Sequence, residues 1–147
     1  MTRYRSFLAL VLAFLTAFLV SCGSPAAKTP PTYTADQTAL IQDYVSRIET
    51  SRERLPELAK LIQDENWVFV KNFIRGPLGE LRSRISVIQR NLLPNAKAKA
   101  TELAKEVAEN LIAIDEAAQK RDYKAAISSY GALQRNIDAF LSLAPGA

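Results

Sequence analysis

Residues 66–92 read NWVFVKNFIRGPLGELRSRISVIQRNL, and their apolar positions decide the fold. Trp67, Val70, Ile74, Leu78, Leu81, Ile85, Ile88 and Leu92 recur in steps of three and four. That is the period of one face of an α-helix, and no strand places its apolar residues so. Pro94 ends the run, since proline cannot continue a helical hydrogen-bond ladder. Gly76-Pro77 lies inside the stripe. Pro77 has no amide to donate to the Phe73 carbonyl, and a mid-helix proline costs about 3 kcal/mol. A structural kink at Gly76 and Pro77 is therefore expected, serving either as a bend that packs the helix or as an exposed carbonyl for a partner.

The same spacing extends to both sides. Upstream, Ile41, Val45, Ile48, Leu55, Ala59 and Ile62 mark a first helix, with Thr34 and Gln37 placed to form a capping box. Pro56 within it either kinks the helix or opens a second short one. Downstream, Ala100, Leu103, Val107, Leu111, Ile114 and Ala118 mark a third helix rich in strong helix formers. Tyr123, Ile127, Tyr130, Leu133, Ile137, Phe140 and Leu141 mark a fourth, with Arg121-Asp122 as a tight turn and Asp122 as N-cap. Alternating β-branched runs between turn signals are not seen. Helices over 36–63, 66–92, 95–120 and 122–142 with short connections predict an all-α, up-down antiparallel four-helix bundle. Residues 144–147 are expected to fray.

The first residues read as an address. Arg3 and Arg5 precede an apolar run from Phe7 to Val20, which is short for a spanning helix of about 20 residues and matches an export signal. The run ends in Leu19-Val20-Ser21-Cys22, which looks like a bacterial lipobox. This predicts cleavage before Cys22 and covalent lipid on its sulfur, the logic of a lipid-anchored exported protein. Residues 22–34, CGSPAAKTPPTYT, have no apolar period and read as a Pro-rich tether. At about 3.3 Å per residue it spans at most roughly 40 Å. The expected division is thus 1–21 signal peptide, 22–34 lipidated tether and 35–147 bundle.

Composition narrows the chemistry. The 147 residues are 48% hydrophobic and 23% charged, with one cysteine and no histidine. Without histidine there is no Ser-His-Asp or Cys-His catalysis, no imidazole base near neutral pH, and no histidine-ligated haem, zinc or di-iron site. One cysteine makes neither an internal disulfide nor a thiolate zinc site. The chain is read as a non-enzyme with no intrinsic cofactor beyond the lipid on Cys22. The formal charge of +4 includes Arg3 and Arg5, so cleavage before Cys22 leaves +2. Export and this low charge argue against a nucleic-acid partner.

The remaining charge is uneven. The second helix carries Lys71, Arg75, Arg82, Arg84 and Arg90 against Glu80. These five basic residues are the partner-docking candidates, since arginine forks pair with carboxylates and are enriched at interfaces. An acidic protein surface is the expected partner, with anionic lipid headgroups as the other choice. Glu102, Glu106 and Glu109 share one face of the third helix, but Lys99 and Lys105 lie within a turn, so an ion-paired solvent face is expected and no metal site. Trp67, Phe69 and Phe73 are read as core and rim. Tyr33 carries no signal.

With these residues in view, the chain resembles the cyanobacterial PsbQ-like lipoproteins of photosystem II. The resemblance rests on the lipobox, the stretch from Trp67 to the Gly76-Pro77-Leu78-Gly79 turn, Asn91-Leu92-Leu93-Pro94, Ile114-Asp115-Glu116-Ala117-Ala118, and Tyr130. It implies an extrinsic, non-catalytic subunit on the lumenal face of the thylakoid membrane. Such a subunit stabilises the lumenal oxygen-evolving assembly and helps retain calcium and chloride in the partner complex. The metal-binding surface histidines known in that family have no counterpart here. The alternatives are an assembly factor, or a carrier of a pigment or other ligand in the lumen or periplasm. A carrier needs a cavity of several hundred Å³, which the bulky apolar stripes argue against.

Overall fold

The computed structural model describes residues 30–146, so Cys22, the signal segment and most of the tether lie outside the described residues. Those described fold into helices α1 (Ala35–Glu53), α2 (Leu55–Gln63), α3 (Trp67–Arg75), α4 (Leu81–Asn91), α5 (Pro94–Lys120) and α6 (Tyr123–Leu141), with no strand among them. They make four arms, α1–α2, α3–α4, α5 and α6. The second arm returns along the first, α3 beside α2 and α4 beside α1. Helix α5 packs on both halves of the second arm, and α6 runs back along α5 and closes against the first. This is the up-down four-helix bundle expected from the spacing.

Local chemistry sets the helix ends. The Thr34 hydroxyl accepts from the Gln37 amide at 3.2 Å, and the Gln37 side chain accepts from the Thr34 amide at 3.0 Å, completing the capping box. Asp122 accepts from the Ala125 amide at 3.0 Å and starts α6. Arg121 ends α5 in the left-handed conformation (φ 55°), which lets the Asp122 amide reach back to the Ala117 carbonyl at 2.9 Å. Pro56 opens a second short helix: α1 stops at Glu53, and the proline sits in the first turn of α2, where its missing amide costs nothing.

The core is drawn from all four arms, with Ile41, Leu58, Val70, Ile85, Val107, Ile114, Leu133 and Phe140 among its buried members. Two details differ from the spacing. Tyr123 is exposed and Ile127 half-buried, so the α6 stripe enters the core at Ala126. The physical reason is position: Tyr123 is the first residue of α6, at the rim of the bundle. Residues 144 and 145, expected to fray, are held against the bundle. Ala144 is buried, and the Gln42 side-chain amide donates to the Pro145 carbonyl, tying the end of the chain to α1.

The second arm is not one kinked helix. It is two helices joined by a turn over residues 76–80. The Phe73 carbonyl, which Pro77 leaves without a donor, is taken by the Leu78 amide at 3.2 Å. The Gly79 amide donates to the Gly76 carbonyl at 3.0 Å, and the Leu81 amide to the Leu78 carbonyl at 3.1 Å. Leu78 and Leu81 are both buried, so the apolar stripe persists through the break. The backbone folds so closely here that a Cβ on Gly79 would lie 2.4 Å from the Arg75 carbonyl oxygen.

Tyr33, silent in the sequence, packs half-buried against the core, and its hydroxyl accepts from the Leu93 amide at 3.3 Å. It fastens the entry to α1 to the corner between α4 and α5. Tyr130 is buried, and its burial pushes the phenol pKa above the ordinary 10.0. Burial favours the neutral phenol, so its contribution to stability is fully present below about pH 10 and is lost as pH rises past that value. Urea unfolding between pH 8 and 11 is expected to show a steeper alkaline loss for the wild type than for Tyr130→Phe, and equal losses would contradict this.

Candidate functional site

The break in the second arm shapes the surface beside it. An open groove of about 450 Å³ runs between the turn and α5, lined by Ile74, Arg75, Leu78, Gly79, Arg82, Ala108, Leu111, Ile112 and Asp115. Its floor is apolar. Ile112, at 50% exposure, is one of the larger apolar side chains that α5 leaves open to solvent. Arg75 comes from the end of α3 and Arg82 from the start of α4, so both reach the groove because the helix stops between them.

The acid in this groove is already engaged. Asp115, whose side chain is 23% exposed, meets Arg75 at 3.4 Å through one carboxylate oxygen and accepts from the Gln119 amide at 2.8 Å through the other. Arg82 is exposed and makes no ion pair or side-chain hydrogen bond among the described residues. The groove therefore presents a net positive rim over an apolar floor.

The five basic residues singled out in the sequence do not share one surface. Arg84 turns to the other side of the arm, toward α1, with its side chain 23% exposed. It donates to the Arg47 carbonyl at 2.9 Å and to the Ser51 hydroxyl at 3.0 Å, and pairs with Glu80. Ser51 is the buried polar residue of α1. Arg84 is thus a strut between α4 and α1, and its charge is spent within the fold. Arg90 is exposed and donates to the Ser86 hydroxyl at 2.7 Å. Lys71 is half-buried, one turn before Arg75, with no ion pair among the described residues.

Two of the three glutamates on this face of α5 are ion-paired, Lys99 with Glu102 at 3.0 Å and Lys105 with Glu109 at 3.5 Å, while Glu106 makes no ion pair among the described residues. Among the described residues no group of three or more acids or thiols is placed to hold a metal ion. At the end of the bundle that carries the α2–α3 and α5–α6 turns, Trp67 is half-buried against the core, while Val68 and Phe69 are 62% and 57% exposed. Phe73 is buried, with the Arg54 guanidinium 5.4 Å above its ring. Sequence spacing does not reveal the groove, since an apolar stripe reports which residues are buried and not where the backbone breaks.

Two comparisons bear on this arrangement. The family model for PsbQ, described as oxygen evolving enhancer protein 3, matches residues 1–145. The chain belongs to the PsbQ family. It is also 40% identical over 148 residues to CyanoQ of a Synechocystis species, across 100% of this chain and 99% of that protein. In this PsbQ-family bundle, no helix among the described residues is long and apolar enough to cross a membrane. Among the described residues the groove and the exposed Val68–Phe69 pair are openly apolar features, and the groove sets an apolar floor beside the unpaired Arg82.

Proposed function

We propose that this chain is a non-catalytic extrinsic subunit of photosystem II, held at the lumenal face of the thylakoid membrane. It stabilises the oxygen-evolving assembly there and helps that assembly retain calcium and chloride. The observation that carries this reading is the full-length family match together with the 40% identity to CyanoQ. The bundle's construction supports it: a packed apolar core, a solvent face of exposed ion pairs, and a localised basic groove suit a docking body better than a carrier.

Lipid on Cys22 anchors the chain. The tether then runs to Thr34, where Tyr33 and the capping box fix its base to the bundle. Attachment through lipid and through a charged face are two weak signals acting together, which stable membrane association requires. The basic residues Lys71, Arg75, Arg82 and Arg90 supply the charged contact, and Arg84 holds the arm that displays them.

Deleting the chain from its native host tests this reading. Oxygen evolution is expected to fall when calcium or chloride is made limiting and to recover when the ions are restored. Oxygen evolution unchanged at every ion concentration would refute the stabilising role. Intact-mass measurement of the native N-terminus should find acylated Cys22 as the first residue, and an unmodified Cys22 would refute the anchor.

A further inference from the structure

We infer that the groove beside the Gly76–Gly79 turn is the docking site for an acidic segment of a protein partner, one carrying a carboxylate next to an apolar side chain. The inference rests on the functional reading above and locates the contact within it. Charge complementarity identifies the occupant. The rim holds Arg75 and Arg82. Asp115 is paired with Arg75 and hydrogen-bonded by Gln119 and makes no ion pair with Arg82, so two arginines against one carboxylate leave the groove net positive. Arg82 is therefore the available fork for a partner carboxylate, which it can hold by two parallel hydrogen bonds.

The floor identifies the second half of the ligand. Ile74 and Ile112 offer apolar surface beside the arginine, over the buried Leu78 and Leu111, and a side chain laid there removes the exposed face of Ile112 from water. A purely anionic membrane surface would meet the arginines but leave this recessed floor unused. The device depends on the break: a continuous helix across residues 76–80 would fill the space with its own turn. The cost of Gly76-Pro77 to helix stability thus yields the exposed surface, in addition to the bend.

The test uses the full-length acylated chain in the native host, with its amount on purified photosystem II measured by quantitative mass spectrometry. Arg82→Glu is expected to reduce that amount at least tenfold, Arg82→Lys to reduce it by less, because the ammonium keeps the charge but not the two-bond fork, and Lys124→Glu on α6, outside the groove, to leave it unchanged. A photo-reactive benzoylphenylalanine in place of Ile112 should cross-link to a photosystem protein at a segment containing Asp or Glu. Wild-type occupancy by Arg82→Glu, or adducts from position 112 to lipid alone, would overturn the inference while the functional reading stands. Absence of the wild-type chain from photosystem II would overturn both. Circular dichroism of Arg82→Glu should match the wild type, because Arg82 makes no contact that the fold needs.

Discussion

Replacing Gly79 with alanine is expected to lower the free energy of unfolding by about 2–3 kcal/mol, the range for overpacking at a site that cannot yield. The added Cβ would sit 2.4 Å from the Arg75 carbonyl oxygen and 3.2 Å from that of Gly76. Both are backbone atoms, one at the last residue of α3 and one in the turn that follows, so relief requires opening the turn itself. That would disturb the Leu78-to-Phe73 hydrogen bond that compensates for Pro77. Gly131 provides the control. It lies within α6, where a Cβ would meet only the flexible Arg135 guanidinium at 3.5 Å. Gly131→Ala should stabilise by up to about 1 kcal/mol, since alanine is the better helix former. Urea unfolding of the two variants decides the matter; a Gly79→Ala protein as stable as wild type would mean that the turn is not the close-packed element described.

Arg84→Ala is expected to cost about 2 kcal/mol, because it removes two charge-assisted hydrogen bonds to α1 and leaves the Arg47 carbonyl with the Ser51 hydroxyl's bond at 3.3 Å. The guanidinium reaches the Arg47 carbonyl and the Ser51 hydroxyl across the interface between α4 and α1. Truncation removes both bonds and the packing of the aliphatic stem. Arg82→Ala, two residues away, should stay within about 0.5 kcal/mol, as exposed surface positions do. The pair separates two roles that the sequence presents alike. Equal stabilities for Arg84→Ala and Arg82→Ala would contradict the assignment of Arg84 as a strut.

The fold was largely legible. Stripes such as Val70, Leu78, Leu81 and Ile85 state which residues are buried, although Ile74 of the same stripe is half-buried and Phe73 beside it is buried, and the capping residues Thr34 and Asp122 state where helices begin. The interruption was visible as Gly76-Pro77, but its form was not. Proline spacing predicts a lost hydrogen bond, whereas only the backbone path shows that Leu78 replaces the donor and that a five-residue turn results. Arg84 was misleading for a related reason. Charge counting along a helix treats all arginines as exposed, yet a side chain at this position reaches Ser51 on a neighbouring arm. Tyr33 and the Ala144–Pro145 end looked like loose chain because their partners, Leu93 and Gln42, are distant in sequence.

This PsbQ-family chain is expected to be held on photosystem II through a charged face of its bundle. The most direct measurement is its amount in photosystem II purified from native membranes at low salt and again after a wash at about 1 M salt, where the Debye length falls to roughly 3 Å. The predicted result is near-stoichiometric presence at low salt and release of most of it by the wash. Retention of most of it after the wash, or its absence from low-salt preparations that keep their other extrinsic subunits, would contradict this.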